Sequence, residues 1–177
     1  MRYLTKDELA KVLRVALKAS RRDHLMILLA AQHGLRRSEV VALTWADVDS
    51  DSITVRRLKG SDTTTHPLLR NHSVLFDEPT ALEYFRDERE DDGDFLFPMT
   101  DGQFARIVKA HFIAAGISPE LAHPHSLKHY CCSHLCRAGM GVEFVKTFVG
   151  HKDIKNTVRY MNISDSEASA KAQEAFQ

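Results

Sequence analysis

Cysteine is scarce and bunched: Cys131, Cys132 and Cys136 fall within six positions of a 177-residue chain. An odd, clustered set does not make a disulfide framework, so a reducing compartment is expected. Long apolar runs are also missing. The longest, Leu25 to Ala31, has seven residues, against the roughly 20 that a membrane helix needs. The opening MRYLTKDE has no apolar stretch behind its arginine, so neither a membrane association nor a secretory leader is expected. Glycine (8) and proline (5) are few and scattered, and there are no repeats or low-complexity tracts. With 44% apolar and 27% charged residues, the composition is that of one soluble domain large enough for a full core. The expectation is a cytoplasmic chain.

A net charge of one sign is absent as well: Lys plus Arg is 24 and Asp plus Glu is 24. The balance is uneven along the chain. Asp77 to Asp94 holds nine acids against Arg86 and Arg89, which leaves 22 bases against 15 acids elsewhere. A basic body with an acidic face turned to solvent is expected, and a basic face suits nucleic acid.

The hydrophobic pattern is mainly helical. Thr5 and Glu8 form a capping box ahead of Leu9, Val12, Leu13, Ala16 and Leu17 at helical spacing. A second helix from about Asp23 to Gly34 is apolar nearly all round, which predicts burial, and a short one covers about 38–43. Residues 52–58 and 63–68 read as strands of a hairpin with a turn at 59–62. An amphipathic helix is predicted over 73–90 with Val74, Leu75, Leu82 and Phe85 inside, then a loop at 91–94. Further helices are expected at about 101–115, 125–138, 142–149 and 155–162. The fold class is therefore α+β, mainly helical, with one small antiparallel sheet.

Four polar segments stand out: GLRRSEVVALTWADVD (34–49), RLKGSDTTTHPL (57–68), HPHSLKH (123–129) and VGHKDIKNTVRY (149–160). The second puts Lys59 at a hairpin tip. The third places His125 and Lys128 on one helix face. The fourth exposes His151 after a glycine and brings Tyr160 nine residues later. Attack of a hydroxyl on a phosphodiester needs such a set. Cationic donors hold the non-bridging oxygens, a proton donor serves the leaving alkoxide, and a tyrosine can keep the bond energy in a covalent intermediate without metal or ATP. Taken singly, each residue is an ordinary solvated or packed side chain. Their joint order resembles the tyrosine recombinases, or phage-integrase-type DNA breaking and rejoining enzymes. It is most similar to the short recombinases of fimbrial phase variation, through HGLR, RLK…TTHPL and HPH-x-L. The resemblance runs over almost the whole chain, from YLTKDEL (3–9) to RYMNIS (159–164).

That resemblance implies the catalytic domain of a DNA breaking-rejoining enzyme over 1–163, with no N-terminal DNA-clamping arm. It implies Arg36 as a phosphate-gripping residue oriented by Glu39, Lys59 as general acid and His125 as a proton-transfer partner. His151 would bond the scissile phosphate, and Tyr160 would form a 3′-phosphotyrosine link. Reversal by a partner 5′-hydroxyl gives inversion or integration and excision, as in a mobile element. Arg56, Arg57, Lys152 and Lys155 flank this set as candidate contacts to backbone phosphates. No cofactor and no metal are implied. The partners implied are double-stranded DNA, further copies of the chain in a dimer or tetramer, and DNA-bending proteins, with a nucleoid location.

One position departs from the family pattern. The second catalytic arginine falls on Lys128, which keeps the charge and loses the planar fork. Three readings stay open: a recombinase, a DNA-binding regulator that has lost catalysis, and a topoisomerase-like enzyme that nicks and reseals. His129, Cys132 and Cys136 share a helix face, but zinc wants a fourth ligand and a knuckle that the sequence lacks. In residues 164–177, Ala168, Ala172, Ala175 and Phe176 are spaced for one helix face, and the resemblance makes this tail a candidate for docking on a neighbouring protomer.

Overall fold

The computed structural model describes residues 2–57, 63–88, 93–161 and Gln173. The first helix, α1 (Lys6–Ala19), starts at the expected capping box, with Thr5 Oγ1 accepting from the Glu8 N–H and the Glu8 carboxylate accepting from the Thr5 N–H. Its stripe of Leu9, Val12, Leu13 and Ala16 is buried. Ser20 ends α1 and caps α2 (Arg21–Gln32). Every residue of α2 from Asp23 to Ala31 is buried, because α1, α4 (Glu78–Asp87) and α6 (His125–Arg137) pack around it. Each large apolar side chain so enclosed contributes roughly 1.5–3 kcal/mol, which makes α2 the axis of the domain. Asp23 pins its start to α5 (Asp101–Ala114), accepting at 2.8 Å from His111 Nε2.

The chain leaves α2 through Gly34, in the left-handed region at φ +60°, into the short α3 (Arg37–Val41) and a 3₁₀ turn at Trp45–Asp47. Strands β1 (Ser52–Val55) and β2 (Thr64–Pro67) pair antiparallel, with Ile53 opposite His66 and Val55 opposite Thr64. After α6 come α7 (Val142–Val149) and α8 (Lys155–Val158). A small second core of Cys131, Cys132, Val145, Val149 and Tyr160 lies between α6, α7 and the chain after α8.

Several expectations need correction. The paired strands are shorter than 52–58 and 63–68, because the chain at Arg56 and Arg57 has already left the ladder. The fourth helix begins at Glu78 rather than at 73: Asp77 caps it by accepting from the Thr80 N–H, and Pro79 suits its first turn. Val74 is therefore 57% exposed instead of packed inside. The acidic stretch is not wholly solvated, since Asp77 and Glu78 are buried. Glu78 accepts from His33 Nε2 and from the Leu69 N–H, tying α4 to α2 and to the end of β2. The last helix stops at Val158, ahead of Tyr160. Lys59, the hairpin turn, Asp91–Asp92 and, apart from Gln173, the 164–177 tail lie outside the described residues.

Gly34 offers a test of this corner. A Cβ there would sit 2.9 Å from Val149 Cγ1 and 3.3 Å from Cys131 Sγ, whereas at Gly116, also left-handed at φ +71°, it would meet nothing within 4 Å. In denaturant unfolding, Gly116→Ala is expected to cost about 1–2 kcal/mol for the backbone conformation alone. Gly34→Ala is expected to cost about 3 kcal/mol or more through the added overpacking. Equal losses at the two sites would contradict the packing described.

Candidate active site

The site is built on the C-terminal end of α7. A helix ends with four carbonyls that lack intrahelical partners and carry its negative dipole. Here Gly150 turns the chain at φ +65°, so that its N–H donates to the Thr147 carbonyl and the His151 N–H donates to that of Lys146. The next three carbonyls each take a cation from a different part of the chain. Arg57 Nη2 donates to the Phe148 carbonyl at 2.6 Å, Lys128 Nζ to Val149 at 2.6 Å and Arg36 Nη2 to Gly150 at 3.2 Å. Two of these cations also reach the corner before α3: Lys128 Nζ donates to the Gly34 carbonyl at 2.6 Å, and Arg57 Nη2 to that of His33 at 3.4 Å.

One carboxylate balances the three. Glu39, its side chain fully enclosed, accepts from Arg36 Nη1 at 2.7 Å, from the Arg36 N–H at 2.8 Å and from Arg57 Nη1 at 3.0 Å. Burial pushes its carboxyl up, but the Arg36 N–H together with the charges of Arg57 and Lys128 outweighs this and holds it below the ordinary range. Burial and the neighbouring Arg57 and Arg36 bring the Lys128 ammonium down to about 8. The side chains thus leave a net positive centre, of which Arg36, 30% exposed, is open to solvent.

Two histidines stand beside it. His125 opens α6 and is exposed, and His151 is half-buried with Nδ1 2.9 Å from Thr157 Oγ1. Burial first, then the charges of Lys128 and Arg36, holds His151 down to about 4; burial and Lys128 also lower His125. Both rings are neutral at pH 7 in this state.

Tyr160 is held apart from the cations. Its ring is buried at 7% exposure, and its hydroxyl shares a hydrogen bond with His129 Nδ1. His129 meets His125 edge-on at 4.3 Å. The Tyr3 ring lies 5.2 Å from that of Tyr160, and the Tyr3 hydroxyl donates to the Arg159 carbonyl at 3.4 Å. Burial, with Cys132 and Tyr3 alongside, pushes the phenol far above the ordinary tyrosine range. It is stored protonated.

Arg36, Glu39, His125, Lys128 and His151 therefore come together as one cluster, with Tyr160 behind it on the other side of His129. Arg57 is a correction: instead of facing outward to a phosphate, its side chain is completely enclosed and is used up on Glu39, Thr64 Oγ1 and two carbonyls. Arg56 is exposed and paired with Asp47 at 2.9 Å, and Lys152 and Lys155 are exposed. Among the described residues no group of three or more His, Cys, Asp or Glu is placed to hold a metal ion. Cys132 and His129 both adjoin Tyr160 instead. No described helix is long and apolar enough to cross a membrane. The reading of the sequence missed His129 and Tyr3 as neighbours of Tyr160. The only available signal for His129 was its place one turn along α6 from His125.

Two outcomes are expected. Glu39→Gln leaves three cations without their anion and is expected to cost about 3–5 kcal/mol at neutral pH by denaturant unfolding. Because the folded carboxyl is held low, the native contribution is complete above its unfolded pKa and is lost as pH falls through the folded one; a Glu39→Gln chain as stable as the native one would refute the balance. Second, an ultraviolet titration of the chain minus that of Tyr160→Phe is expected to show no ionisation in the ordinary tyrosine range. Tyr3→Ala should bring it back toward that range, and an unchanged titration would mean that Tyr3 does not seal the phenol.

Comparison with known proteins bears on the fold and the family. The chain is 34% identical over 174 residues to the type 1 fimbriae regulatory protein FimE of Escherichia coli K12, covering 90% of this chain and 84% of that protein. The crystal structure of XerA recombinase superposes with a TM-score of 0.78 at 22% identity, over 99% of this chain and 65% of that one. The XerH site-specific recombinase bound to its difH substrate, in a pre-cleavage complex, gives 0.76 at 20% identity, over 96% and 53%. These structures share the fold. Residues 2–167 match the description of the phage integrase family, and the chain belongs to that family.

Proposed function

We propose that the chain is a tyrosine-type site-specific recombinase that breaks and rejoins double-stranded DNA through a covalent link to Tyr160. The observation that carries the reading is the preassembled cationic centre of Arg36, Arg57 and Lys128 flanked by the neutral rings of His125 and His151, with a protonated tyrosine stored behind His129. A phosphodiester entering there meets the Arg36 guanidinium already aimed by Glu39, which opposes the charge that builds on the non-bridging oxygens. The arriving phosphate also raises the His151 pKa, so that this ring donates to the same oxygens. Tyr160 attacks the phosphorus as its phenol proton passes to the neutral ring of His125, the 5′-oxygen leaves with a proton assigned to Lys59, and a 3′-phosphotyrosine remains. Attack by a partner 5′-hydroxyl restores the diester and frees the phenol, so neither metal nor nucleotide is consumed.

Storage of the phenol under Tyr3 and His129 implies that Tyr160 swings out before attack. The resemblance to the short recombinases of fimbrial phase variation favours inversion of a DNA segment as the biological outcome. Assembly of two or four copies on DNA, docking of the 164–177 tail on a neighbour, and help from DNA-bending proteins complete the proposal.

The test is covalent trapping. Purified protein incubated with fragments of the DNA around its own gene, then denatured, is expected to yield a protein–DNA adduct that Tyr160→Phe abolishes. Sequencing that DNA reads out the site. A persistent adduct in Tyr160→Phe would displace Tyr160 as nucleophile. DNA binding by the native chain with no adduct at all would favour the regulator reading that Lys128 raises.

A further inference from the structure

The departure at position 128 has a structural answer. We propose that Lys128 is a positioning residue, whose ammonium clamps the corner before α3 to the end of α7 and so sets the distance between Arg36 and His151, rather than a ligand of the DNA phosphate. The proposal rests on the reading of Arg36 and His151 as the phosphate-facing pair.

Three observations carry it. First, Lys128 is 1% exposed, and its Nζ is engaged at 2.6 Å by the carbonyls of both Gly34 and Val149. Second, each of those carbonyls lies two residues ahead of a phosphate-facing side chain, Gly34 before Arg36 and Val149 before His151. A shift in either carbonyl moves the side chain that follows it. Third, the shape of the space suits a point charge. Gly34 and Val149 approach so closely that even a Cβ on Gly34 would fall at 2.9 Å from Val149. An ammonium directs tetrahedral donors to two separate strands of backbone, whereas a guanidinium presents its donors in one rigid plane and is bulkier. A buried guanidinium is supplied to the same helix end from elsewhere, by Arg57, which ties the hairpin to Phe148 and His33 in the same way.

The charges around the ammonium come from every neighbouring element: Arg36 and Glu39 of α3, Arg57 after β1, Cys132 of α6, and His125 and His151. Both histidines are held low and Cys132 is pushed up to about 11. Lys128, brought down to about 8, changes charge between pH 7 and 9.

The experiment compares the native chain with Lys128→Met, Lys128→Arg and Arg36→Met. Affinity for a 30-base-pair duplex of arbitrary sequence is measured across a salt series, and adduct formation on fragments from around the gene is timed. A lost phosphate contact lowers the log–log salt slope by about one. Arg36→Met is expected to show this. Lys128→Met is expected to keep the native affinity and slope within about two-fold while adduct formation falls at least ten-fold, a loss confined to the reacting complex. Lys128→Arg is expected not to exceed the native rate. A slope lowered by Lys128→Met as by Arg36→Met, or a Lys128→Arg chain faster than native, would overturn the proposal. Should Lys128→Met fail to fold, the native chain carries the test. Adduct formation is expected to fall as pH rises through about 8 while duplex affinity holds, and a flat profile to pH 9 would count against the clamp. If the native chain forms no adduct, the recombinase reading fails on its own. The clamp is then judged without DNA, by whether Lys128→Arg shifts the His151 ring resonances, and unshifted resonances would sink it.

Discussion

Everything in this site hangs on the need to satisfy the end of one short helix. The last carbonyls of α7 point into a crowded interior where unpaired acceptors are costly. Two are met by backbone N–H groups around Gly150, and the next three by Arg57, Lys128 and Arg36. Those side chains come from the hairpin, from α6 and from the α2–α3 corner. Satisfying one helix terminus therefore draws the whole cationic centre together. The buried Glu39 keeps the concentration of charge tolerable, and the excess it leaves is what an anion from outside can relieve.

The resting protein keeps its reactive groups in unreactive forms. His125 and His151 are held low first by burial and then by the cations that prepare the site for a phosphate. Tyr160 is a buried phenol behind His129. On the proposed function, an incoming diester would change both conditions with one charge, raising His151 and giving the phenol an electrophile to leave its pocket for. Arming thus coincides with substrate arrival.

Much of this was legible in the residues and some was not. Helix α2 could be read because a segment apolar on all sides has nowhere to sit but the middle, and α1 because Thr5 and Glu8 announce its start. The fourth helix was misjudged because Val74 and Leu75 look like its first buried turn, while Asp77 and Pro79 mark the true beginning. Arg57 reads as a surface cation because two adjacent arginines in a hairpin differ only in which side they face, and that follows from where the ladder ends. The order Arg36, His125, Lys128, His151 and Tyr160 pointed to the chemistry. It could not reveal that His129 and Tyr3 enclose Tyr160, since contacts across 31 and 157 residues of chain leave no local pattern.

At the end of α7 the three cations meet main-chain oxygens, which every amino acid carries alike. Substitution at 148 or 149 can alter packing, but it cannot delete an acceptor. Lengthening or shortening the turn by a single residue between Phe148 and His151 would rotate each carbonyl to face a different donor. The constraint on this stretch is thus one of spacing more than of identity: descendants of this chain can drift in letters there while being held to a fixed count.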